Sequence, residues 1–382
     1  MPSSVAAVET MAWGTYDLGK PRVRILLRGL RENGVSVREC HRPVWSGIED
    51  KSQVSGWGAR LHLFVRWLLA YPALLLCFLR SPRPDVVLIP YLGQLDILIL
   101  WPFAKLRGSR LILDAFLSLY DTVIEDRRLI GPRHPVARVL YAWEWLACHA
   151  ADQIIVDTEA HGSYFRERFG LAPERVSRVF VGVEPEHFPP TPAAAARPAG
   201  APLRVLFYGQ FIPLHGLETI IRAAKLTDAE PIHWHLIGTG QETKRIETLI
   251  AELNPAHLTR TRWVPYPELI REIHAADVCL GIFGASAKAG RVIPNKVFQV
   301  LAAGRPIITR DGPAAQELLA EMANVELIPP ADPAALAAAV REAATCLTEP
   351  APRPADAILP ARVVQPLLHL MSRDGSSHGI SG

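Results

Sequence analysis

The stretch that most limits how this chain can fold is PPTPAAAARPAGAP, residues 189–202, which holds no side chain able to build a core. Its prolines keep it extended, so it reads as a linker between two separately folding halves. On either side of it the same grammar runs. Short β-branched stretches alternate with amphipathic helical ones, the pattern of a parallel sheet covered on both faces. Before the linker, strands are expected at Val5–Trp13, Val35–Cys40, Asp85–Pro90, Arg110–Phe116, Gln153–Val156 and Arg175–Val181. After it they are expected at Leu203–Tyr208, Ile232–Ile237, Thr261–Val264, Val278–Phe283, Pro306–Thr309 and Val325–Ile328. The expected class is α/β, with two doubly wound, Rossmann-like domains over 1–188 and 203–346 facing across a cleft. Residues 347–372 are expected to pack back on the body, and the polar, glycine-rich 373–382 to fray.

A chain of 382 residues can bury two cores, and 49% hydrophobic content with 21% charge excludes a disordered one. Basic and acidic residues number 41 and 38, so no field for nucleic acid is built. The five cysteines (Cys40, Cys77, Cys148, Cys279, Cys346) are widely spaced and mostly apolar in context, and are expected to be reduced, packed thiols. The first twenty residues lack a basic start followed by an apolar core, so the expected setting is cytoplasmic. Residues 61–79 approach the length of a membrane span, but His62, Arg66 and Pro72 interrupt them. A pair of buried or surface helices is expected there. The flanking Arg60, Arg66, Arg80 and Arg83 leave peripheral contact with anionic lipid, at the inner face of a membrane, as the alternative.

Doubly wound domains bind ligands beyond the carboxyl ends of their strands. That rule selects Gly14–Gly19, Tyr91–Asp96 and Asp114–Asp121 in the first half. In the second it selects Gly209–Gly216, Gly238–Gln241 and Gly284–Lys296. The richest stretch is Val278–Leu319: a strand, a small-residue loop carrying Lys288 and Arg291, and a helix that opens at Pro294 and stops at Gly304. Unpaired amides, the positive end of the helix dipole and basic side chains meet at Asn295 and Lys296, a site for a phosphate or diphosphate. The plainer reading is an ordinary strand–loop–helix unit with solvated lysines. His215 lies near another helix start, where it either meets an anion or merely caps and packs. Ile237-Gly-Thr-Gly240 lacks the third glycine and the ribose-binding acid of a dinucleotide fingerprint. His233 and His235 have no third ligand nearby, so no metal site is expected. Asp114, Asp121, Glu125 and Asp126 either hold sugar hydroxyls or an acceptor, or form a salt-bridged loop.

Four segments in order, FYGQFIPLHGLETIIRAA (207–224), HLIGTGQETKRIETLI (235–250), VPYPELIREIHAADVCLGIF (264–283) and PNKVFQVLAAGRPIIT (294–309), resemble the nucleotide-binding half of the retaining family-4 glycosyltransferases. The first half resembles that family more loosely, through its glycine loop and strand order. The resemblance implies the GT-B fold and transfer of a sugar from a uridine or guanosine diphosphate donor. The acceptor would be a carbohydrate, a lipid-linked molecule or a small molecule held by the first domain. No cofactor and no metal are implied.

The resemblance also implies roles, residue by residue. Lys296 and Arg291 bind the diphosphate, assisted by amides around Pro294, Asn295 and Gly14, with His215 beside it. Val264, Pro265 and Tyr266 frame the base, and Gln299 reaches the ribose. Gly238 and Gly240 admit the nucleotide, Gly209 and Gln210 help to bind the donor, with Gln210 and His215 in place of the family's usual arginine and lysine, and Asp114 lies near the transferred sugar. The family's usual glutamate pair is replaced by Arg291 and Gln299, in the P-x-K-x-F-Q pattern of a subset. A catalytically silent nucleotide-sugar-binding partner and a nucleotide-sugar epimerase are the rival readings, and a dehydrogenase stands third.

Overall fold

The computed structural model describes residues 8–44, 57–189, 201–346 and 356–372. The linker interior and the terminal 373–382 lie outside them, as does the start of the strand expected from Val5. The described residues fall into two compact units: those within 1–124, 129–182 and 359–382 form the first, and those within 125–128 and 183–358 the second.

In the first unit, β1 (Thr10–Gly14), α1 (Pro21–Glu32), β2 (Val37–His41), α2 (Trp57–Arg80), β3 (Val86–Ile89) and α3 (Gln94–Arg107) come first. Next are β4 (Arg110–Asp114), a π-helical turn (Asp121–Asp126), α4 (Pro135–Ala150), β5 (Gln153–Val156), α5 (Glu159–Phe169) and β6 (Val176–Arg178). All six strands are parallel, in the order β2-β1-β3-β4-β5-β6. Alternate side chains point to opposite faces of a strand. Met11, Trp13, Leu111 and Leu113 therefore join α2, α3, α4 and α5 in one core, while Ala12 and Ile112 join α1 in another.

The second unit runs β7 (Leu203–Tyr208), α6 (Leu217–Leu226), β8 (Ile232–Ile237), α7 (Thr243–Leu253), β9 (Leu258–Thr261), α8 (Tyr266–Ala275) and β10 (Val278–Leu280). It continues with α9 (Ala287–Arg291), α10 (Asn295–Ala302), β11 (Ile307–Arg310), α11 (Pro313–Gln316), β12 (Val325–Ile328) and α12 (Pro333–Cys346). Its parallel order is β12-β11-β10-β7-β8-β9. The chain then supplies α13 (Pro360–Val363) and α14 (Gln365–Ser372), which belong to the first unit and close the α1 core with Val364, Leu367 and Leu370.

Four expectations are corrected. Residues 57–80 form one continuous helix through Pro72, not a helix pair. The strand expected at Thr261–Val264 ends at Thr261 and starts at Leu258. The loop expected between β10 and α10 contains the short helix α9, capped by Ser286, whose Oγ accepts from the Ala289 amide at 3.2 Å. Cys40 and Cys77 are paired, their Cα atoms 6.3 Å apart, whereas Cys148 and Cys279 are buried free thiols.

Candidate functional site

Strand order fixes where each unit can take a ligand. In the second sheet the order reverses between β7 and β10, and the crevice of such a sheet lies beyond the carboxyl ends of those two strands. The chain leaves β7 through Gly209, with φ +143°, and leaves β10 toward α9 and α10. Everything that follows is arranged around Gly209. A Cβ there would stand 3.1 Å from Cε1 of His215 and 3.3 Å from Nζ of Lys296. Two basic groups thus converge beneath one glycine.

Lys296 is 6% exposed. Its ammonium donates to the Gly281 carbonyl at 3.1 Å and sits 3.7 Å from the centroid of the Phe207 ring. No carboxylate pairs with it among the described residues. Burial therefore holds its pKa well below the usual lysine value. His215 donates from Nδ1 to the Gln210 carbonyl, which fixes the tautomer, and packs edge-on against Phe207. Burial first, and then the Lys296 charge, push its pKa well below the ordinary histidine value. An uncompensated cation in a dry pocket is costly, and an anion placed beside it removes the cost.

The start of α10 adds to this field. Pro294 precedes the helix, and its first amides have no intrahelical acceptor. The Asn295 Oδ1 is buried without a hydrogen-bond partner. Arg291 closes α9 half-buried, so the basic loop is held as a helical turn. Gln299 is tied down differently from expectation: its Oε1 accepts from the Tyr208 hydroxyl at 3.0 Å, leaving only its amide group to donate. Gln210 is exposed and contributes its backbone to His215. The Gly238 turn lies so close to β7 that a Cβ would strike the Gly209 carbonyl oxygen, and a Cβ at Gly240 would stand 2.7 Å from the Phe211 amide. Val264 and Pro265 lead into α8, and Tyr266, its first residue, is 43% exposed and edge-on to Phe188 at 5.8 Å.

Two groups were missed in the sequence. Arg310, at the end of β11, donates to the Gly284 carbonyl at 2.7 Å and the Ser286 carbonyl at 3.3 Å, bracing the loop that carries α9. Trp263, next to the expected base-framing residues, is 68% exposed. Its neighbour Val264 opens the segment that resembles the family. An exposed indole beside that motif was the available signal.

Gly14 and Asp114 lie in the first unit. Gly14, with φ +134°, allows Asp96 to approach; that carboxylate accepts from the Thr15 amide at 2.7 Å and the Tyr71 hydroxyl at 2.8 Å. Burial lifts its pKa to about 6. Asp114 is bound by Arg22 through Nη2 at 2.8 Å and Nε at 3.0 Å, both side chains buried. Arg22 also donates to the Val179 carbonyl at 2.7 Å, so the pair ties α1 and β4 to the chain after β6. Asp114→Ala strands a buried guanidinium and is expected to cost about 3–5 kcal/mol, measured as a fall in urea midpoint. A stability change below about 1 kcal/mol would mean that the pair is not structural.

Comparison with known proteins follows the same division. Residues 202–345 match the family described as "Glycosyl transferases group 1", and residues 19–182 match the "Glycosyl transferase 4-like domain". A curated relative, D-inositol 3-phosphate glycosyltransferase of Thermobispora bispora, is 30% identical over 172 residues. That match takes in 41% of this chain and 40% of the relative's length. Among solved structures, sucrose-phosphate synthase from Thermosynechococcus elongatus superposes with TM-score 0.64 at 19% identity, covering 95% of this chain and 96% of that one. Anabaena HepE in complex with UDP and glucose gives 0.57 at 13% identity, covering 96% and 95%. At such identities the structural likeness establishes the fold alone. Two glycosyltransferase domain families in tandem, on two six-stranded parallel sheets, define the class: the chain is a glycosyltransferase of GT-B type.

Proposed function

We propose that the protein moves a sugar, with retention of configuration and without a metal ion, from a nucleotide diphosphate donor to an acceptor hydroxyl. The observation that carries this reading is the buried, carboxylate-free ammonium of Lys296 beside His215, at the switch point of the second sheet and the start of α10. Such a field neutralises a leaving diphosphate. In the step proposed, the bond from the anomeric carbon to the diphosphate oxygen breaks and a bond to the acceptor oxygen forms on the same face. The acceptor's proton passes to the departing phosphate oxygen, so no separate base is needed. Arg291 and the Asn295 amide share the diphosphate, and the Gln299 amide donates to the ribose. The HepE complexes name UDP and UDP-glucose, which makes uridine donors the first to try. The acceptor is a sugar, a lipid-linked molecule or a small alcohol, and the setting proposed is cytoplasmic.

The absent glutamate pair favours a second reading, a nucleotide-sugar-binding protein without turnover. Thermal shift across a panel of nucleotide sugars is expected to pick out one donor, since a ligand bound only to the native state raises its apparent stability. Product analysis with acceptors should then give the donor's own anomer. An inverted anomer overturns the mechanism, and binding without transfer across the panel supports the silent reading. An epimerised donor in the absence of acceptor supports the epimerase.

A further inference from the structure

The helix α2 is apolar on both sides. Ala70, Tyr71, Leu74 and Phe78 face the first unit's core, and the opposite side, at helical spacing, presents Leu61, Phe64, Leu68, Leu69, Leu76 and Leu79 to solvent. Leu69 is 70% exposed. A soluble surface helix has no use for such a stripe, and a contiguous apolar patch marks a binding face. From residue 57 to residue 84 the sequence carries Arg60, Arg66, Arg80 and Arg83 and no carboxylate. On the same side of the sheet, α3 and α4 add the exposed indoles of Trp101 and Trp145.

We propose that this face of the first unit docks flat on an anionic phospholipid bilayer, seating the α2 leucines below the headgroups. The length and hydropathy of residues 61–80 alone would also permit a span. Spanning is excluded by the inner side of the helix. The Trp13 indole donates to the Leu74 carbonyl at 3.1 Å, Cys77 is paired with Cys40, and the Trp67 indole donates to Thr15 at 2.8 Å. A helix fastened so to a water-soluble sheet lies in the interface plane, with the body of the unit serving as its polar face. The charge pattern chooses the occupant. A second copy would bring the same arginines against these, whereas anionic headgroups complement them, and tryptophans favour that depth.

The test is co-sedimentation of the full chain with vesicles of phosphatidylcholine alone and of phosphatidylcholine mixed with phosphatidylglycerol. Binding to the anionic vesicles is expected, weakened by salt. It should fall about tenfold or more in the Leu68→Gln/Leu69→Gln variant, whose circular dichroism should match the parent. Arg80→Gln/Arg83→Gln should weaken binding without altering apolar area. No binding to anionic vesicles overturns the proposal, as does binding indifferent to both variants. Self-association in their absence, abolished by the leucine substitutions, assigns the face to a second copy and overturns it too. Nucleotide binding at Lys296 is read separately, so neither failure conceals the other.

Discussion

Lys296→Met is expected to lower kcat/KM by about 10²–10³ while leaving the protein as stable as before or more so. The first half follows from what the ammonium does. Removing one preorganised donor from a site where charge develops costs on the order of two to three decades in rate. The second half follows from its burial. In the ligand-free protein the cation has one carbonyl and one aromatic face for company. A methionine of similar volume takes its place beneath Phe207 without the desolvation penalty, and comparable replacements of buried charge are neutral or stabilising by about 1–4 kcal/mol. Steady-state kinetics and urea denaturation on the same preparation check both halves. Unchanged turnover would remove Lys296 from the site. Lost turnover with a marked fall in the urea midpoint would make it a structural residue instead.

Binding of a nucleotide diphosphate is expected to draw protons onto the protein. Burial depresses the pKa values of both Lys296 and His215, and the Lys296 charge lowers that of His215 further. An anion among them favours their charged forms and raises both. Calorimetric titration with UDP in buffers of different ionisation enthalpy should therefore show net proton uptake near neutral pH, and affinity should weaken as pH rises. Without ligand the sign runs the other way. A lowered folded pKa means that the unfolded chain binds more protons between that value and the ordinary one, so stability rises with pH across the window. For His215 the window closes near 6.5, and for Lys296 near 10.5. Removing His215, as in His215→Gln, should reduce the uptake. Proton release on binding would mean that the diphosphate does not meet these groups.

The local grammar was legible because periodicity is local. Pro294 and Gly304 bound α10, and short apolar or alternating runs marked β7, β8 and β11. The convergence of Lys296 and His215 on Gly209 was legible only as two stretches at strand ends, since spacing does not reveal which backbone atoms they share. Partners far apart in sequence left no trace. Arg22 meets Asp114 across 92 positions, and Cys40 meets Cys77 across 37. Pro72 was misleading for a different reason. A proline inside a helix is expensive, but a helix packed along one whole side can carry it. Residues 125–128, read as part of a first-half charge cluster, group with the second unit, which no pattern of charges announces.

The return of α13 and α14 to the first unit bears on how the protein can be cut. A Cβ at Gly29 would strike the Pro360 carbonyl oxygen, so α1 and α13 touch backbone to side. A fragment ending before residue 359 would leave Leu26, Leu30 and their neighbours bare, and should precipitate when expressed alone. The first unit thus cannot complete its core until the ribosome has read past α14. Changes to α13 or α14 will be felt by the amino-terminal core.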